Sequence, residues 1–138
     1  MIGLDTNVLA RYYVEDKADA QAQRQREAAR RLMESGQPML VCKTVVLELE
    51  WVLRGYYDFR TDEVTAVFHH LLGMAQVTIE DRSAVEGALA LCSSGLDFAD
   101  ALHHASCRQC ESMASFDDRG FARRARSLGL TPRVVVPT

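Results

Sequence analysis

Short apolar runs alternate along the chain with longer stretches of helix-forming residues. The apolar runs have the length and the β-branched content of buried strands, whereas the longer stretches place their apolar side chains on one helical face. Five strands are predicted, at residues 2–4, 39–42, 76–79, 113–116 and 133–136. Seven helices are predicted between them, the first ending at residue 12 and the others covering residues 18–33, 44–53, 61–72, 81–92, 97–110 and 119–127.

Strands that alternate with helices are typical of a parallel sheet covered on both faces. The predicted fold class is therefore α/β, a three-layer α/β/α sandwich around a central, mainly parallel sheet. The chain has 138 residues, 48% of them hydrophobic and 25% charged, and it contains no repeat or Pro/Gly-rich linker, which favours a single domain over residues 1–138. No apolar run approaches the length of about 20 residues that spans a membrane. An acid at position 5 also argues against a secretory signal, so a cytoplasmic protein is expected.

Two aspartates directly follow predicted strands. Asp5 comes after the first strand and Asp117 after the fourth. In an open parallel sheet, functional groups collect outside the carboxyl ends of the strands, so both acids are candidates for a site there. The alternative is that each acid only caps the helix that follows it.

A second pair of acids lies at the start of the predicted helix 97–110. Asp97 and Asp100 are three residues apart, which puts both on one helical face. They could join the same site. The alternative is a variant capping box, with Asp97 as the N-cap and Asp100 at the third helical position.

Two glutamates lie on the predicted helix 44–53, which Thr44 is expected to cap and Gly55 to stop. Glu48 and Glu50 fall on opposite flanks of its apolar stripe, so either could border a site and periodicity does not choose between them. The neighbouring Trp51 lies off that stripe, which indicates either a covered surface such as a dimer contact or an exposed tryptophan. The stripe consists of Val45, Val46, Leu49, Val52 and Leu53.

Acids gathered in one place repel each other, and two like charges 4 Å apart cost about 4 kcal/mol at an effective dielectric constant of 20. A divalent cation removes this cost, and carboxylate oxygens select Mg²⁺ or Mn²⁺ over zinc or copper. The sequence contains no G-x-S-x-G, P-loop or G-x-G-x-x-G motif. An acidic site with a metal-activated water is the chemistry of metal-dependent nucleases.

Basic residues collect near the end of the chain. The net charge of −3 excludes a polycationic nucleic-acid coat, yet residues 119–138 contain five arginines and no acid. This segment could contact phosphates or could form a solvated helix face. Arg119 could also pair with Asp117. The five are Arg119, Arg123, Arg124, Arg126 and Arg133.

Cysteine and histidine cluster in the predicted helix 97–110. His103, His104, Cys107 and Cys110 lie within eight residues, which raises the possibility of a zinc site. A structural zinc site usually draws ligands from two separated elements, and no second Cys/His cluster lies at a fitting distance. Small buried thiols and packed imidazoles along one helix are therefore expected, with all four cysteines reduced.

Four segments, taken in order, resemble the motifs of one known family. They are MIGLDTNVL at residues 1–9, ELEWVLR at 48–54, DFADALH at 97–103 and SFD at 115–117. Together they resemble the PIN-domain nucleases, and in particular the VapC-type toxins of bacterial type II toxin–antitoxin systems. The resemblance spans essentially the whole chain.

The resemblance implies an Mg²⁺- or Mn²⁺-dependent endoribonuclease with a PIN-like fold, an RNA substrate, an antitoxin partner and a homodimer. It implies that Asp5, Glu48, Asp100 and Asp117 bind the metal and carry catalysis, and Asp117 is preferred to Asp118 because it directly follows the strand. Assisting roles are expected for Thr6, Asp97 and Ser115, and RNA-backbone contacts for Arg119 and Arg123.

Two other functions compete with this interpretation. A non-catalytic RNA- or partner-binding protein of the same fold would be expected to lack at least one of the four acids. A phosphohydrolase acting on small esters would carry Asp-x-Asp-x-Thr after the first strand, where this chain has Asn7.

Overall fold

Seven α-helices and five short strands alternate along the chain in the computed structural model, which describes residues 1–138. All paired strands are parallel. The chain divides into two units, Met1–Arg82 and Ser83–Thr138, and each is described by itself.

The first unit is built on a three-stranded parallel sheet in the order β1-β2-β3. Ile2 is paired with Met39, and Met39 with Val77. The strands are β1 (Ile2–Gly3), β2 (Met39–Val41) and β3 (Val77–Ile79). The helices are α1 (Thr6–Tyr13), α2 (Ala20–Met33), α3 (Lys43–Trp51) and α4 (Thr61–Leu72), with a π-helical turn at Val52–Tyr56 after α3.

The core of the first unit lies where the helices present their apolar faces to one another and to the sheet. Met39 and Val41 of β2 are fully buried, as expected for the central strand of a parallel sheet. The buried helical side chains repeat at three- and four-residue spacing, which is the period of an amphipathic helix. They include Leu9, Met33, Val46, Leu49, Leu53, Phe68 and Leu71.

The second unit pairs two strands in parallel, with Ser112 opposite Arg133. Its elements are α5 (Arg82–Ser93), α6 (Phe98–Ser106), β4 (Ser112–Ala114), a π-helical turn at Asp118–Ala122, α7 (Arg123–Ser127) and β5 (Arg133–Val135). His104 of α6 is buried, and its Nε2 lies 2.7 Å from the carbonyl oxygen of Pro132. This bond ties α6 to the segment that leads into β5.

The α/β class with parallel strands is confirmed, and α4 has the predicted bounds. The hydrogen bonds divide the strands between a three-stranded and a two-stranded sheet, where the alternation predicted one. The single domain over residues 1–138 stays a prediction. No helix has both the length and the apolar character needed to cross a membrane.

Several predicted boundaries are wrong. The helix predicted to start at Thr44 starts at Lys43, where Cys42 is the N-cap without a side-chain bond, and it runs through Gly55 as the π-helical turn. The helix predicted to reach Cys110 ends at Ser106. The fourth strand ends at Ala114, so Asp117 follows it after two further residues.

Candidate functional site

Asp5 lies at the carboxyl end of β1, as predicted. Its side chain is exposed, and its Oδ1 accepts a hydrogen bond from the Thr6 N–H at 2.8 Å, which makes it the N-cap of α1. The capping role is therefore real. It uses one carboxylate oxygen and leaves the other open to a second partner.

Thr6 presents the one buried side-chain polar atom without a hydrogen-bond partner. Its residue is 5% exposed, and its Oγ1 has no bonding group of the protein within reach. An unpaired buried hydroxyl costs about 1–3 kcal/mol, so such atoms usually mark a water or ion site. Next to the Asp5 carboxylate, this hydroxyl fits a water carried by a metal ion.

The two glutamates of α3 have opposite environments. Glu50 is 6% exposed, and its Oε1 accepts a hydrogen bond from Arg54 Nε at 2.7 Å. Its charge is therefore compensated within the helix. Glu48 is exposed on the same helix and forms none of the ion pairs of the structure, which leaves it available as a ligand.

Asp97 and Asp100 open α6. Asp97 is the N-cap, and its Oδ1 accepts a hydrogen bond from the Asp100 N–H at 3.1 Å, which realises half of the predicted capping box. Partial burial raises the pKa of Asp100, and the negative charges of Asp97 and Asp117 raise it further, while His103 acts weakly in the opposite direction. The three carboxylates of the second unit thus share one electrostatic environment.

Asp117 is held by the turn that follows it. Its Oδ1 accepts a hydrogen bond from the Gly120 N–H at 2.9 Å, and its own N–H donates to Ser115 Oγ at 3.1 Å. A Cβ on Gly120 would lie 2.6 Å from Asp117 Oδ2, so any larger residue here would displace this carboxylate from its position. Asp118 is exposed at the start of the π-helical turn, and its N–H donates to the Phe116 carbonyl at 2.9 Å.

Residues 2–127 match the family model described as the PIN domain. The chain belongs to the PIN domain family. Proteins of this family are generally nucleases that use divalent metals. A comparison with curated proteins found no match.

The acids of this PIN domain are the donors that a hard cation prefers. Asp5 and Glu48 belong to the first unit, and Asp97, Asp100 and Asp117 to the second. No group of three or more His, Cys, Asp or Glu side chains is arranged to hold a metal ion in either unit. The carboxylate donor set and the orphaned Thr6 hydroxyl fit Mg²⁺ or Mn²⁺ chemically, and the full four-acid ligand set stays a prediction.

The arginines of the PIN domain divide into two groups. Arg124 has a structural role, because its Nη1 donates a hydrogen bond to the Gly95 carbonyl at 2.7 Å. Arg119 and Arg123 are exposed and take part in none of the seven ion pairs, so the alternative in which Arg119 pairs with Asp117 is not realised. Both remain free to contact phosphates.

The cysteine and histidine cluster shows no zinc site. All four cysteines are free, with Cys107 half-buried and Cys110 exposed. The buried His104 is satisfied by the Pro132 carbonyl. Of the expected buried thiols and packed imidazoles along α6, only His104 is buried, because His103 is exposed and both cysteines lie beyond the end of the helix at Ser106.

A large open groove of about 1030 Å³ on the first unit contains none of the candidate acids. Its polar walls are paired internally, with Glu15 and Arg26 forming an ion pair at 3.2 Å and Tyr13 Oη lying 2.8 Å from His70 Nδ1. Burial raises the pKa of Tyr13, with a smaller contribution from Tyr12. The groove is therefore a surface feature that the candidate acids do not line.

Two features of the site were missed by reasoning from the sequence. The Asp-x-x-Gly spacing of residues 117–120 signals an aspartate that caps a turn closed by glycine, and it could have identified Gly120 as the neighbour of Asp117. No sequence signal indicated that Phe116, next to Asp117, would be 80% exposed.

Proposed function

We propose that this PIN domain is an Mg²⁺- or Mn²⁺-dependent endoribonuclease, and that it acts in the cytoplasm as the VapC-type toxin of a toxin–antitoxin pair. The observation that carries the proposal is the family match over residues 2–127, together with the acids Asp97, Asp100 and Asp117 of the second unit. Burial raises the pKa of Asp100, and the negative charges of Asp97 and Asp117 raise it further, so a divalent cation would stabilise the ionised carboxylates.

Asp5, Glu48, Asp100 and Asp117 are proposed as the metal ligands and catalytic residues. A bound divalent cation would supply an activated water and would stabilise the charge that develops on the phosphate. Thr6, Asp97 and Ser115 assist by orienting water or ligands. Asp97 fixes the start of α6 and so the position of Asp100, and Ser115 Oγ accepts from the Asp117 N–H.

RNA is held in this proposal through its phosphates by the free cations of the second unit. Arg119 and Arg123 lie two and six residues after Asp117, are exposed and form no ion pair. Contacts of this kind position a backbone without reading its sequence. They would therefore place the scissile phosphate near the acids rather than select a base.

Two protein partners belong to the proposal, an antitoxin and a second copy of the chain. Both follow from the likeness of the motifs to those of VapC-type toxins. Trp51, which is 59% exposed on α3, is a candidate contact for the homodimer. Burial of a large aromatic ring is a frequent source of interface energy.

The test uses the purified protein, freed of any partner and incubated with structured RNA and Mg²⁺. We expect cleavage that disappears with a chelator and in Asp5→Asn and Asp117→Asn, while the circular dichroism spectrum stays native-like. Asp118→Asn is the matched control, because Asp118 is the exposed neighbour of Asp117 and holds no assigned role. Its activity should equal that of the wild type.

Two outcomes would contradict the proposal. Cleavage that persists in Asp5→Asn and Asp117→Asn would overturn the assigned site. Binding of RNA without any metal-dependent cleavage would favour the non-catalytic RNA-binding alternative.

A further inference from the structure

Phe116 is the most exposed aromatic side chain of the chain, at 80% exposure. Burial of a phenylalanine side chain stabilises a fold, and the folded chain forgoes that stabilisation here. The ring lies between Ser115 and Asp117, directly before a carboxylate assigned to the catalytic site.

The backbone around Phe116 is held on both sides. Before it, the Ser115 N–H donates to the Val135 carbonyl at 2.9 Å. After it, the Asp118 N–H donates to the Phe116 carbonyl at 2.9 Å, and the Asp117 carboxylate accepts from Gly120. The backbone that carries the exposed ring is therefore held by an ordered turn, and the same turn holds Asp117.

The surroundings of the ring fit a nucleic acid better than an apolar protein surface. Its chain neighbours, Ser115 and Asp117, are polar and acidic. Arg119 and Arg123 follow it within seven residues along the chain, exposed and without ion pairs. Proteins hold unpaired nucleotides with an exposed aromatic ring and with cations, the bases stacked on the ring and the phosphates near the arginines.

We propose that Phe116 stacks on an unpaired base of the RNA, next to the phosphate presented to Asp117. This inference rests on the proposed nuclease function and assigns Phe116 a positioning role in it. Stacking requires a base that is free of a helix, so the tests use single-stranded RNA.

The first test compares Phe116→Leu with Phe116→Trp in cleavage of a single-stranded oligoribonucleotide. Leucine keeps the apolar bulk and loses the ring, whereas tryptophan keeps a stacking surface. We expect kcat/KM to fall about tenfold in Phe116→Leu, mainly through KM, and to be retained in Phe116→Trp. Because the side chain is exposed, both variants should melt like the wild type.

The second test detects stacking without catalysis. Trp51 is the single tryptophan of the chain, so a Trp51→Phe/Phe116→Trp variant reports on position 116 alone. We expect its fluorescence to be quenched when a single-stranded oligoribonucleotide is added in the presence of a chelator. Trp51→Phe/Tyr56→Trp is the matched control, because Tyr56 is similarly exposed, at 75%, on the other unit. It should not be quenched.

The outcomes separate this inference from the proposed function. Wild-type cleavage with no effect of Phe116→Leu and no quenching would overturn the inference alone. Quenching without wild-type cleavage would overturn the nuclease proposal and leave the stacking role standing. Self-association of the wild type that is lost in Phe116→Leu, without quenching by RNA, would assign the ring to a second copy of the chain and overturn the inference.

Discussion

Glu48 and Glu50 show how two similar residues on one helix acquire different roles. Periodicity predicted that they flank the apolar stripe on opposite sides, and the structure buries Glu50 and exposes Glu48. The decisive contact is the Arg54 guanidinium, one turn after Glu50. The pattern of apolar positions could not identify that contact, because it depends on which flank the rest of the unit covers.

Removal of Arg54 should therefore destabilise the fold. Arg54→Met leaves the buried Glu50 carboxylate without its partner, and we expect the free energy of unfolding to fall by about 2 kcal/mol. Glu48→Gln is the matched change at an exposed position and should stay within about 0.5 kcal/mol of the wild type. Urea denaturation measures both values, and equal effects would contradict the assignment of Glu50 as the structural glutamate.

The contribution of Asp100 to the stability of the fold depends on pH. Its pKa in the folded protein lies above its ordinary value, chiefly because of burial and secondarily because of Asp97 and Asp117. The folded state therefore binds this proton more tightly than the unfolded chain does. The stability that protonated Asp100 gives the fold is fully present below the pKa of Asp100 in the unfolded chain. It is lost as the pH rises through the pKa of Asp100 in the folded protein.

At neutral pH without metal, the ionised Asp100 should thus be a cost to stability. We expect Asp100→Asn to raise the melting temperature in a chelator by about 2–4 °C. In the wild type, Mg²⁺ should raise the melting temperature, and this gain should shrink in Asp100→Asn. Thermal melts at constant ionic strength check both expectations, and a lower melting temperature of the metal-free variant would contradict them.

The turn Asp118–Ala122 is the element that positions Asp117. Gly120 leaves the only room for the carboxylate, since its missing Cβ would come within 2.6–2.7 Å of both oxygens. The hydrogen bond from the Gly120 N–H then fixes the orientation of the carboxylate. The shape of the backbone and the orientation of the Asp117 carboxylate are set here by the same residue.

Gly120→Ala should therefore impair RNA cleavage, because it displaces Asp117. A displaced ligand commonly costs about tenfold or more in activity, and that is the loss expected here. Gly87→Ala is the control, since Gly87 lies inside α5 with nothing within 4 Å of an added Cβ. That change should raise the free energy of unfolding by about 0.5–1 kcal/mol and leave cleavage unchanged. Equal cleavage by both variants would show that Gly120 does not position the site.

The helices were predictable from the sequence to different degrees. α4 has the predicted bounds because a strong apolar period ends at Gly73. α6 ends four residues before its predicted end. The Cys107 N–H caps it by donating to the carbonyls of His103 and His104. The sequence 107–110 contains no Gly or Pro that would have indicated this end. The π-helical turns were not predictable, because their sequences also suit an ordinary helix.

Strand placement and the site depended on different kinds of signal. The strands are only two or three residues long, so their ends were uncertain by one or two residues. Asp5 and Asp97 were identified because an acid after a strand or before a helix has few possible roles. The proximity of Asp97 and Asp100 follows from their spacing, whereas the influence of Asp117 on Asp100 joins residues distant along the chain, which a single sequence does not encode visibly.

Charge is unevenly distributed over the whole molecule. The net charge is −3, while residues 119–138 carry five arginines and no acid. Of these, Arg124 is engaged with Gly95, and Arg119 and Arg123 are exposed without ion pairs. This segment is therefore the strongest local concentration of positive charge that the proposed RNA contacts could use.

RNA affinity should consequently depend steeply on salt. Each phosphate contact with a single strand contributes about 0.7 to the slope of log K against log salt concentration. We expect Arg119→Ala/Arg123→Ala to reduce that slope by about 1.4, measured by fluorescence anisotropy in a chelator. Arg24→Ala/Arg31→Ala removes two arginines of α2 instead and should leave the slope unchanged. An equal reduction in both pairs would indicate a general charge effect.

The final strand lies beyond the segment that matches the family. β5 covers residues 133–135, whereas the match ends at residue 127. A chain that ends at residue 127 would lack β5, the strand that pairs with β4. It would also lack the Pro132 carbonyl that is bonded to the His104 imidazole. The unpaired edge of β4 would pair with strands of other molecules, so we expect the shortened protein to aggregate. The boundary for expression must therefore be chosen from the hydrogen bonds, and it lies after β5 rather than after Ser127.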